Sequence, residues 1–87
     1  MYVIIVYDVE QKRVTKVMKF LRRFLTWVQN SVFEGETTEA KFKEIQMGLK
    51  KLINKDKDSI VSYQMESEKN FKRSVLGLEK NPTDTMI

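Results

Sequence analysis

The sequence predicts an α+β fold, an antiparallel β-sheet with two helices packed on one of its faces. Three observations lead to this prediction: an apolar run without alternation at the start, two segments whose apolar residues recur at helical spacing, and β-favouring segments between and after them. The 87 residues, 41% hydrophobic and 32% charged, suit one small core. We therefore assign residues 1–78 to a single domain and residues 79–87 to a C-terminal tail or a strand that pairs with a partner.

The first element is a strand that runs from Met1 to Val9. Its central residues, YVIIVY, are all apolar or aromatic, which is typical of a strand covered on both faces. A carboxylate, Asp8, follows this run, and the apolar period then changes from two to 3.6. We therefore expect a central strand whose apolar run stops at Asp8.

The second element is a helix, predicted from Lys12 to Val28. Its apolar residues trace one face at helical spacing: Val14, Val17, Met18, Leu21, Phe24, Leu25 and Val28. The other side is basic, and no acidic residue interrupts it between positions 12 and 23. These basic residues are Lys12, Lys16, Lys19 and Arg23, which form a stripe, and Arg13 and Arg22, which flank it.

A second strand and a second helix follow. The stretch TWVQNSVFEGE is rich in β-favouring residues and predicts one strand that ends at Gly35. Thr37 or Thr38 suits the N-cap of the next helix, and Glu39 in its first turn suits the helix dipole. The expected buried stripe of this helix is Phe42, Ile45, Leu49, Leu52 and Ile53.

The remaining elements are strands. After a polar turn at residues 54–57, SIVSYQME predicts a third strand and FKRSVLGLE a fourth. The order strand, helix, strand, helix, strand, strand is interpreted as a minimal form of the βαββαβ arrangement, the ferredoxin-like sandwich. With both helices on one face, the other face keeps more aromatic and apolar surface than a small monomer normally exposes. We expect a homodimer that forms through this other sheet face.

The composition excludes several kinds of site. The chain has no histidine, which excludes histidine general bases, Ser-His-Asp triads and HExxH zinc sites. It has no cysteine, which excludes disulfides and thiolate metal sites and fits a reducing cytoplasm. The apolar run at the N-terminus, about six residues, is too short for a signal peptide or a membrane span. We expect a cytoplasmic protein whose chemistry uses carboxylates, hydroxyls, lysine or a hard metal ion.

Several motifs together carry a family resemblance. They are YDV after the apolar strand, the Lys- and Arg-rich helix, and WVQNSVFEGE followed by a helix that contains TEAKFKEI. In these motifs the chain resembles the small CRISPR-associated endoribonuclease family, the second of the two universal CRISPR adaptation proteins. The resemblance covers Met1 to about Gly77.

The resemblance implies a ferredoxin-like homodimer with a metal-binding, catalytic aspartate at the end of the first strand, which is Asp8 here. It implies nucleic-acid contacts by basic residues of the first helix, most directly Arg13, and a site environment formed by Tyr7, Ser31 and Phe33. Proteins of this family act as nucleases in isolation and as a structural bridge for the CRISPR integrase. The resemblance therefore implies nucleic acid and the integrase as partners.

The chemistry expected of Asp8 depends on a second copy of the chain. One carboxylate is a poor site for Mg²⁺ or Mn²⁺, whereas two Asp8 side chains facing each other across a dimer axis can hold one ion between the subunits. Such an ion would activate water without a histidine and neutralise charge on the scissile phosphate. The alternative is that Asp8 is a structural residue that accepts backbone N–H bonds at the entry to a helix.

The other candidate residues also have structural alternatives. The basic stripe suits sequence-independent binding of phosphates, but Lys-rich helix faces are commonly only solvated. Tyr7, Trp27 and Phe33 suit base stacking, although aromatic residues on the strands of so small a protein more often pack in the core or in a dimer interface. Ser31 suits a phosphate or water contact, or a bond to the neighbouring backbone.

Three functional hypotheses follow. The first is a metal-dependent endonuclease that acts on single-stranded RNA, and on duplex DNA as a further substrate, in CRISPR adaptation and antiviral defence. The second is a non-catalytic adaptor that binds duplex DNA and bridges the CRISPR integrase. The third is a toxin-like or ligand-sensing ferredoxin-like domain. Residues 80–87 are expected to add a strand to the partner subunit.

Overall fold

The structure is a computed structural model that describes residues 1–70 and 72–81. Along the chain lie β1 (Tyr2–Asp8), α1 (Gln11–Leu21), β2 (Thr26–Gln29), β3 (Val32–Glu36), α2 (Glu39–Leu52), β4 (Ser59–Met65) and a single turn of 3₁₀ helix at Glu68–Asn70. The four strands form one antiparallel sheet in the order β2-β3-β1-β4, with both helices on one face. The α+β, ferredoxin-like prediction is confirmed.

Strand β1 is central, as the unbroken apolar run predicts. It pairs with β3 on one side and β4 on the other. Val3, Ile5 and Tyr7 point toward the helices and are buried in the core, because successive side chains of a strand alternate between the two faces. Tyr2, Ile4, Val6 and Asp8 therefore share the opposite face.

The prediction of one strand for TWVQNSVFEGE is wrong, because this stretch forms a hairpin. Strand β2 ends at Gln29, Asn30 and Ser31 form the turn, and β3 begins at Val32. Asn30 has a φ of 43°, a left-handed conformation that asparagine tolerates better than most residues. Trp27 Nε1 donates to the carbonyl of Asn30 at 3.0 Å and so closes the turn. The element order is βαββαβ directly.

Two further boundaries also differ from the predictions. Helix α1 ends at Leu21 instead of Val28, and residues 22–25 form turns that lead into β2. Among residues 72–79 the stretch predicted as a fourth strand, FKRSVLGLE, has no strand structure, and its first residue lies outside the described part of the chain. The physical reason is that most of these side chains are exposed, so nothing supplies the buried face that a strand needs.

Helix α2 agrees with its sequence signals. The Thr38 side chain accepts a hydrogen bond from the backbone N–H of Lys41 at 3.1 Å, which confirms the predicted N-cap. Phe42, Ile45 and Leu49 are buried, whereas Leu52 and Ile53 are half-buried at the end of the helix.

Gly48 allows the two helices to approach each other. A Cβ atom built at this position would overlap the ring of Phe20, which projects from α1. Phe20 cannot move freely, because its ring packs on Phe24 at 5.2 Å between ring centroids, and the Arg23 guanidinium lies over both rings. The glycine therefore costs helix propensity but makes this contact possible.

Gly48→Ala is expected to destabilise the protein by up to about 2 kcal/mol, since overpacking costs about 1–3 kcal/mol and the higher helix propensity of alanine offsets about 1 kcal/mol of this. In a Phe20→Ala background the same substitution should stabilise by up to about 1 kcal/mol, because the clash is absent. Urea unfolding of the four proteins measures both effects. The same sign in both backgrounds would contradict the packing explanation.

The sheet face without helices, here called the open face, carries apolar side chains close to Asp8. Val6 is 37% exposed, Val61 directly opposite it is 45% exposed, and Tyr63 is 56% exposed. The C-terminal segment leads from β4, at one edge of the sheet, toward β3 and β2 at the other edge. Arg73 pairs there with Glu34 of β3, and Asn81 donates to the carbonyl of Trp27 in β2.

Neither helix, in the part of the chain that the structure describes, is long and apolar enough to cross a membrane. The assignment of residues 1–78 to one domain stays a prediction. So does the tail strand at residues 80–87, since residues 82–87 lie outside the described residues.

Candidate functional site

Asp8 is the last residue of β1 and lies at the end of the open face. Its backbone partner in the sheet is Ser59, the first residue of β4, and its side chain is exposed. Within residues 1–70 and 72–81 its carboxylate forms no ion pair or side-chain hydrogen bond. An exposed carboxylate without a partner is available to bind an ion, which is the opposite of the capping role considered as its structural alternative.

A single chain does not build a complete metal site around Asp8. The described residues contain no group of three or more Asp, Glu, His or Cys side chains arranged to hold an ion. Each chain thus contributes the oxygen ligands of one carboxylate. Substrate phosphate, water or a second subunit would supply the remaining ligands of a metal ion.

Tyr7, Ser31 and Phe33, the predicted site environment, are brought together by the sheet. Tyr7 donates its backbone N–H to the Ser31 carbonyl at 3.0 Å, and its ring lies 6.2 Å from that of Phe33. Both rings are buried and point toward the helices, whereas Asp8 points to the open face. Tyr7 and Phe33 therefore pack on the helix side of the sheet, and Ser31 bonds to the backbone of β1 next to Asp8.

The phenol of Tyr7 is not a general base at neutral pH. Burial raises the pKa of Tyr7 above its ordinary value of 10.0, although a hydrogen bond with the Ser31 side chain and the nearby Arg22 charge oppose this shift. Tyr7 therefore stays protonated and neutral. The exposed Asp8 carboxylate, in contrast, lies on the open face at this end of β1.

Five of the six predicted nucleic-acid-binding residues are exposed: Lys12, Lys16, Lys19, Arg22 and Arg23. The lysines share the outer face of α1, on the far side of the sheet from the open face. Lys12 begins this row at the Asp8 end of the sheet, and Lys19 lies about 10 Å further along the axis. Lys57 joins Lys12 in lining a shallow surface depression at the same end.

Arg13 differs from the other basic residues because its guanidinium is held by carboxylates. Its Nε donates to Asp58 at 2.6 Å, and its Nη2 donates to Asp58 at 3.0 Å and to Glu10 at 2.7 Å. Its side chain is only 16% exposed. Arg13 is thus part of a structural ion pair, whereas the resemblance implies a nucleic-acid contact.

Asp58 is the residue at this site that sequence reasoning missed. Its carboxylate is fully buried and also accepts the backbone N–H groups of Glu10 at 2.9 Å and Asn54 at 2.8 Å. The hydrogen bonds from Arg13 hold the pKa of Asp58 well below its ordinary value of 3.8, and the same bonds raise the pKa of Arg13. The surrounding sequence, KDKDS, gives no signal of this, because it reads as a solvated turn.

Acid is expected to remove the stabilisation that the Arg13–Asp58 pair provides. Since the folded-state pKa of Asp58 is depressed, the contribution is complete above its ordinary value of 3.8 and is lost as the pH falls from there through the folded-state pKa. Urea unfolding of the wild type and Asp58→Asn between pH 7 and pH 2 measures it. The difference in free energy of unfolding should narrow below about pH 4. A constant difference across this range would contradict the assignment.

Comparison with known proteins identifies the family of this chain. The family model for CRISPR associated protein Cas2 matches residues 1–73. The CRISPR-associated endoribonuclease Cas2 of Methanocaldococcus jannaschii is 55% identical over 87 residues, which is 100% of this chain and 76% of that protein. The protein of the same name from Thermococcus kodakarensis is 54% identical over the full length of both chains, 100% of each.

A solved structure is also similar. A crystal structure of Cas2 superposes with a TM-score of 0.87 and 46% sequence identity, and covers 94% of this chain and 92% of that chain. The sequence match and the βαββαβ sheet agree. The chain belongs to the CRISPR-associated protein Cas2 family.

Proposed function

We propose that this protein is a homodimeric, divalent-metal-dependent endoribonuclease of CRISPR antiviral defence, in which Asp8 is the metal ligand and catalytic residue. The observation that carries the proposal is the exposed, unpartnered Asp8 carboxylate at the end of an apolar sheet face. The relatives that bear the name CRISPR-associated endoribonuclease support RNA as the substrate.

The homodimer rests on the exposed apolar surface. Val6, Val61 and Tyr63 lie on the open face, and the C-terminal segment adds Leu76, which is 99% exposed, and Leu78, which is 78% exposed. Covering such side chains is favourable at about 25 cal/mol per Å². A second copy that packs on the open face would bring its own Asp8 close to the first, because Asp8 lies at the end of the same face.

The residues at this site fit a shared ion. Two Asp8 carboxylates supply hard oxygen ligands, and RNA phosphate and water complete the coordination that Mg²⁺ or Mn²⁺ requires. When bound, the cation would supply activation of water and neutralisation of charge at the scissile phosphate. Among the described residues, Lys12 and Lys57 lie at this end of the sheet without contacting Asp8. The Asp8 carboxylate is therefore not neutralised by a lysine and is available to the metal ion.

The exposed basic residues bind the RNA backbone in this proposal. Lys12 and Lys57 lie at the Asp8 end, where they can contact the phosphates next to the cleaved bond. Lys16 and Lys19 lie further along α1 and add affinity that does not depend on sequence. The CRISPR integrase as a partner and the cytoplasmic location stay predictions.

The dimer can be tested at Val61. Val61→Glu is expected to shift the protein to a monomer and to lower RNA cleavage in parallel, because each complete site needs two Asp8 residues. Sedimentation velocity measures the dimer. Met47→Glu is the matched control, since Met47 is 59% exposed on α2, away from the open face. A dimer that survives Val61→Glu would contradict this interface.

The proposed activity can be tested with labelled single-stranded RNA and duplex DNA across a Mg²⁺ titration. We expect cleavage of the RNA that requires Mg²⁺ and stops on addition of EDTA. Cleavage of duplex DNA alone would change the substrate. Salt-sensitive binding of duplex DNA without any cleavage would overturn the proposed nuclease activity. It would support the second hypothesis, a non-catalytic adaptor that bridges the integrase. Failure to bind either nucleic acid would overturn both of these hypotheses and favour the third, a toxin-like or ligand-sensing domain.

A further inference from the structure

We infer that Arg13 and Asp58 are a positioning pair that fixes the two chain segments around Asp8, and that Arg13 does not bind RNA phosphate. The inference rests on the proposed function, in which Asp8 is the catalytic residue. It concerns how the fold holds that residue, and it reverses the role that resemblance implies for Arg13.

Asp58 joins two segments that are far apart in the sequence, residues 10–13 and residues 54–58. Its Oδ1 accepts from the backbone N–H of Glu10 at 2.9 Å and from Arg13 Nη2 at 3.0 Å. Its Oδ2 accepts from Arg13 Nε at 2.6 Å and from the backbone N–H of Asn54 at 2.8 Å. One buried carboxylate thus ties the end of α2 to the start of α1 through backbone and side-chain bonds.

These bonds lie on both sides of Asp8. Glu10 follows Asp8 by two residues in the chain, and Asp58 directly precedes Ser59, which is the sheet partner of Asp8. Asp8 forms no side-chain bond of its own among the described residues, so only its backbone determines where its carboxylate points. The bonds of Asp58 therefore restrain the backbone of Asp8 in two ways, through Glu10, which follows it, and through the start of β4, which pairs with it.

Arg13 is poorly suited to bind phosphate in this arrangement. Its Nε and Nη2 donate to carboxylates of Asp58 and Glu10 already. Turning the guanidinium toward RNA would leave the Asp58 carboxylate, with 0% side-chain exposure, without its cation. Removing one member of a buried pair is strongly unfavourable, whereas exposed lysines on the same helix can bind phosphate without this cost.

The test compares Arg13→Gln, Asp58→Asn, the double variant and Arg13→Lys, with Lys43→Gln as a control for a lost surface charge on α2. Three experiments are made: steady-state RNA cleavage, which gives kcat and KM; RNA binding without Mg²⁺, which gives the slope of log Kd against log salt; and amide hydrogen exchange at residues 8–10 and 58–60. A phosphate contact contributes about 0.7 to this slope on single strands.

If the pair positions Asp8, Arg13→Gln and Asp58→Asn should each lower kcat roughly 10- to 100-fold with KM and the salt slope unchanged. The double variant should be no worse than either single one, and amide exchange should speed up at residues 8–10. Arg13→Lys, which keeps the charge and the fold, should still lower kcat, because lysine cannot form the bidentate bond.

A phosphate role for Arg13 gives different results. Arg13→Gln would then lower the salt slope and raise KM, Asp58→Asn would leave both kcat and KM unchanged, and Arg13→Lys would resemble the wild type. Any of these overturns the inference. If the wild type does not cut RNA, the proposed function fails, yet the salt slope and the exchange at residues 8–10 still decide whether the pair fixes the end of β1.

Discussion

Replacing Asp8 by asparagine is expected to lower the rate of RNA cleavage by at least about 100-fold, because loss of a metal ligand removes several kcal/mol of transition-state stabilisation. The fold should not change, since the side chain is exposed and forms no bond with the described residues. Single-turnover cleavage measures the loss. Thermal unfolding, and RNA binding without Mg²⁺, should match the wild type.

Asp56→Asn is the matched control for this substitution. Asp56 is also exposed, and it lies in the turn between α2 and β4, so the same chemical change is made outside the sheet. It should leave cleavage unchanged. Equal cleavage by the wild type and Asp8→Asn, after both have been repurified to remove contaminating nuclease, would contradict the catalytic role.

Mixed dimers distinguish a shared site from two separate ones. If each site needs both Asp8 residues, a dimer with one asparagine is inactive, and equal mixing of the two chains by refolding leaves about one quarter of the activity. If each subunit cuts with its own Asp8, half of the activity remains. The comparison needs only the two proteins and a cleavage assay, and it tests the shared ion without locating it.

Most of the fold could be predicted, because local sequence patterns specify β1 and both helices. The unbroken apolar run of β1 and the 3.6-residue period of both helices specify which faces are buried, and these features dominate the core. The hairpin between β2 and β3 was missed because the turn residues, Asn30 and Ser31, include no glycine, and the flanking segments read as one continuous strand. The left-handed Asn30 that makes this turn is visible only in the structure.

The candidate site could be predicted only in part. Asp8 is marked by its place directly after an apolar strand, which is a local signal. The Arg13–Asp58 pair joins residues 45 positions apart, and its formation depends on how α2 returns the chain to the start of α1. No local pattern separates Arg13 from the neighbouring basic residues, so the sequence placed all six in one nucleic-acid-binding group.

Phe33 has the second largest expected effect, and it acts on stability. It is 0% exposed on β3, opposite Ile5 of β1 and Trp27 of β2, and its ring lies near that of Tyr7. Phe33→Ala is expected to destabilise the protein by about 3–5 kcal/mol, because it leaves a cavity at the centre of the core. Small domains have total stabilities of about 5–15 kcal/mol, so much of the variant should be unfolded under mild denaturing conditions.

Phe33→Leu separates this packing role from base stacking. Leucine fills much of the cavity and should cost about 1–3 kcal/mol of stability, yet it cannot stack on a base. If Phe33 only packs, Phe33→Leu should bind and cut RNA with the KM and kcat of the wild type at a temperature where it is fully folded. If Phe33 stacks, the loss of about 1–3 kcal/mol per base should raise KM at least several-fold. The burial of Phe33 on the helix side of the sheet, away from Asp8, favours the first result.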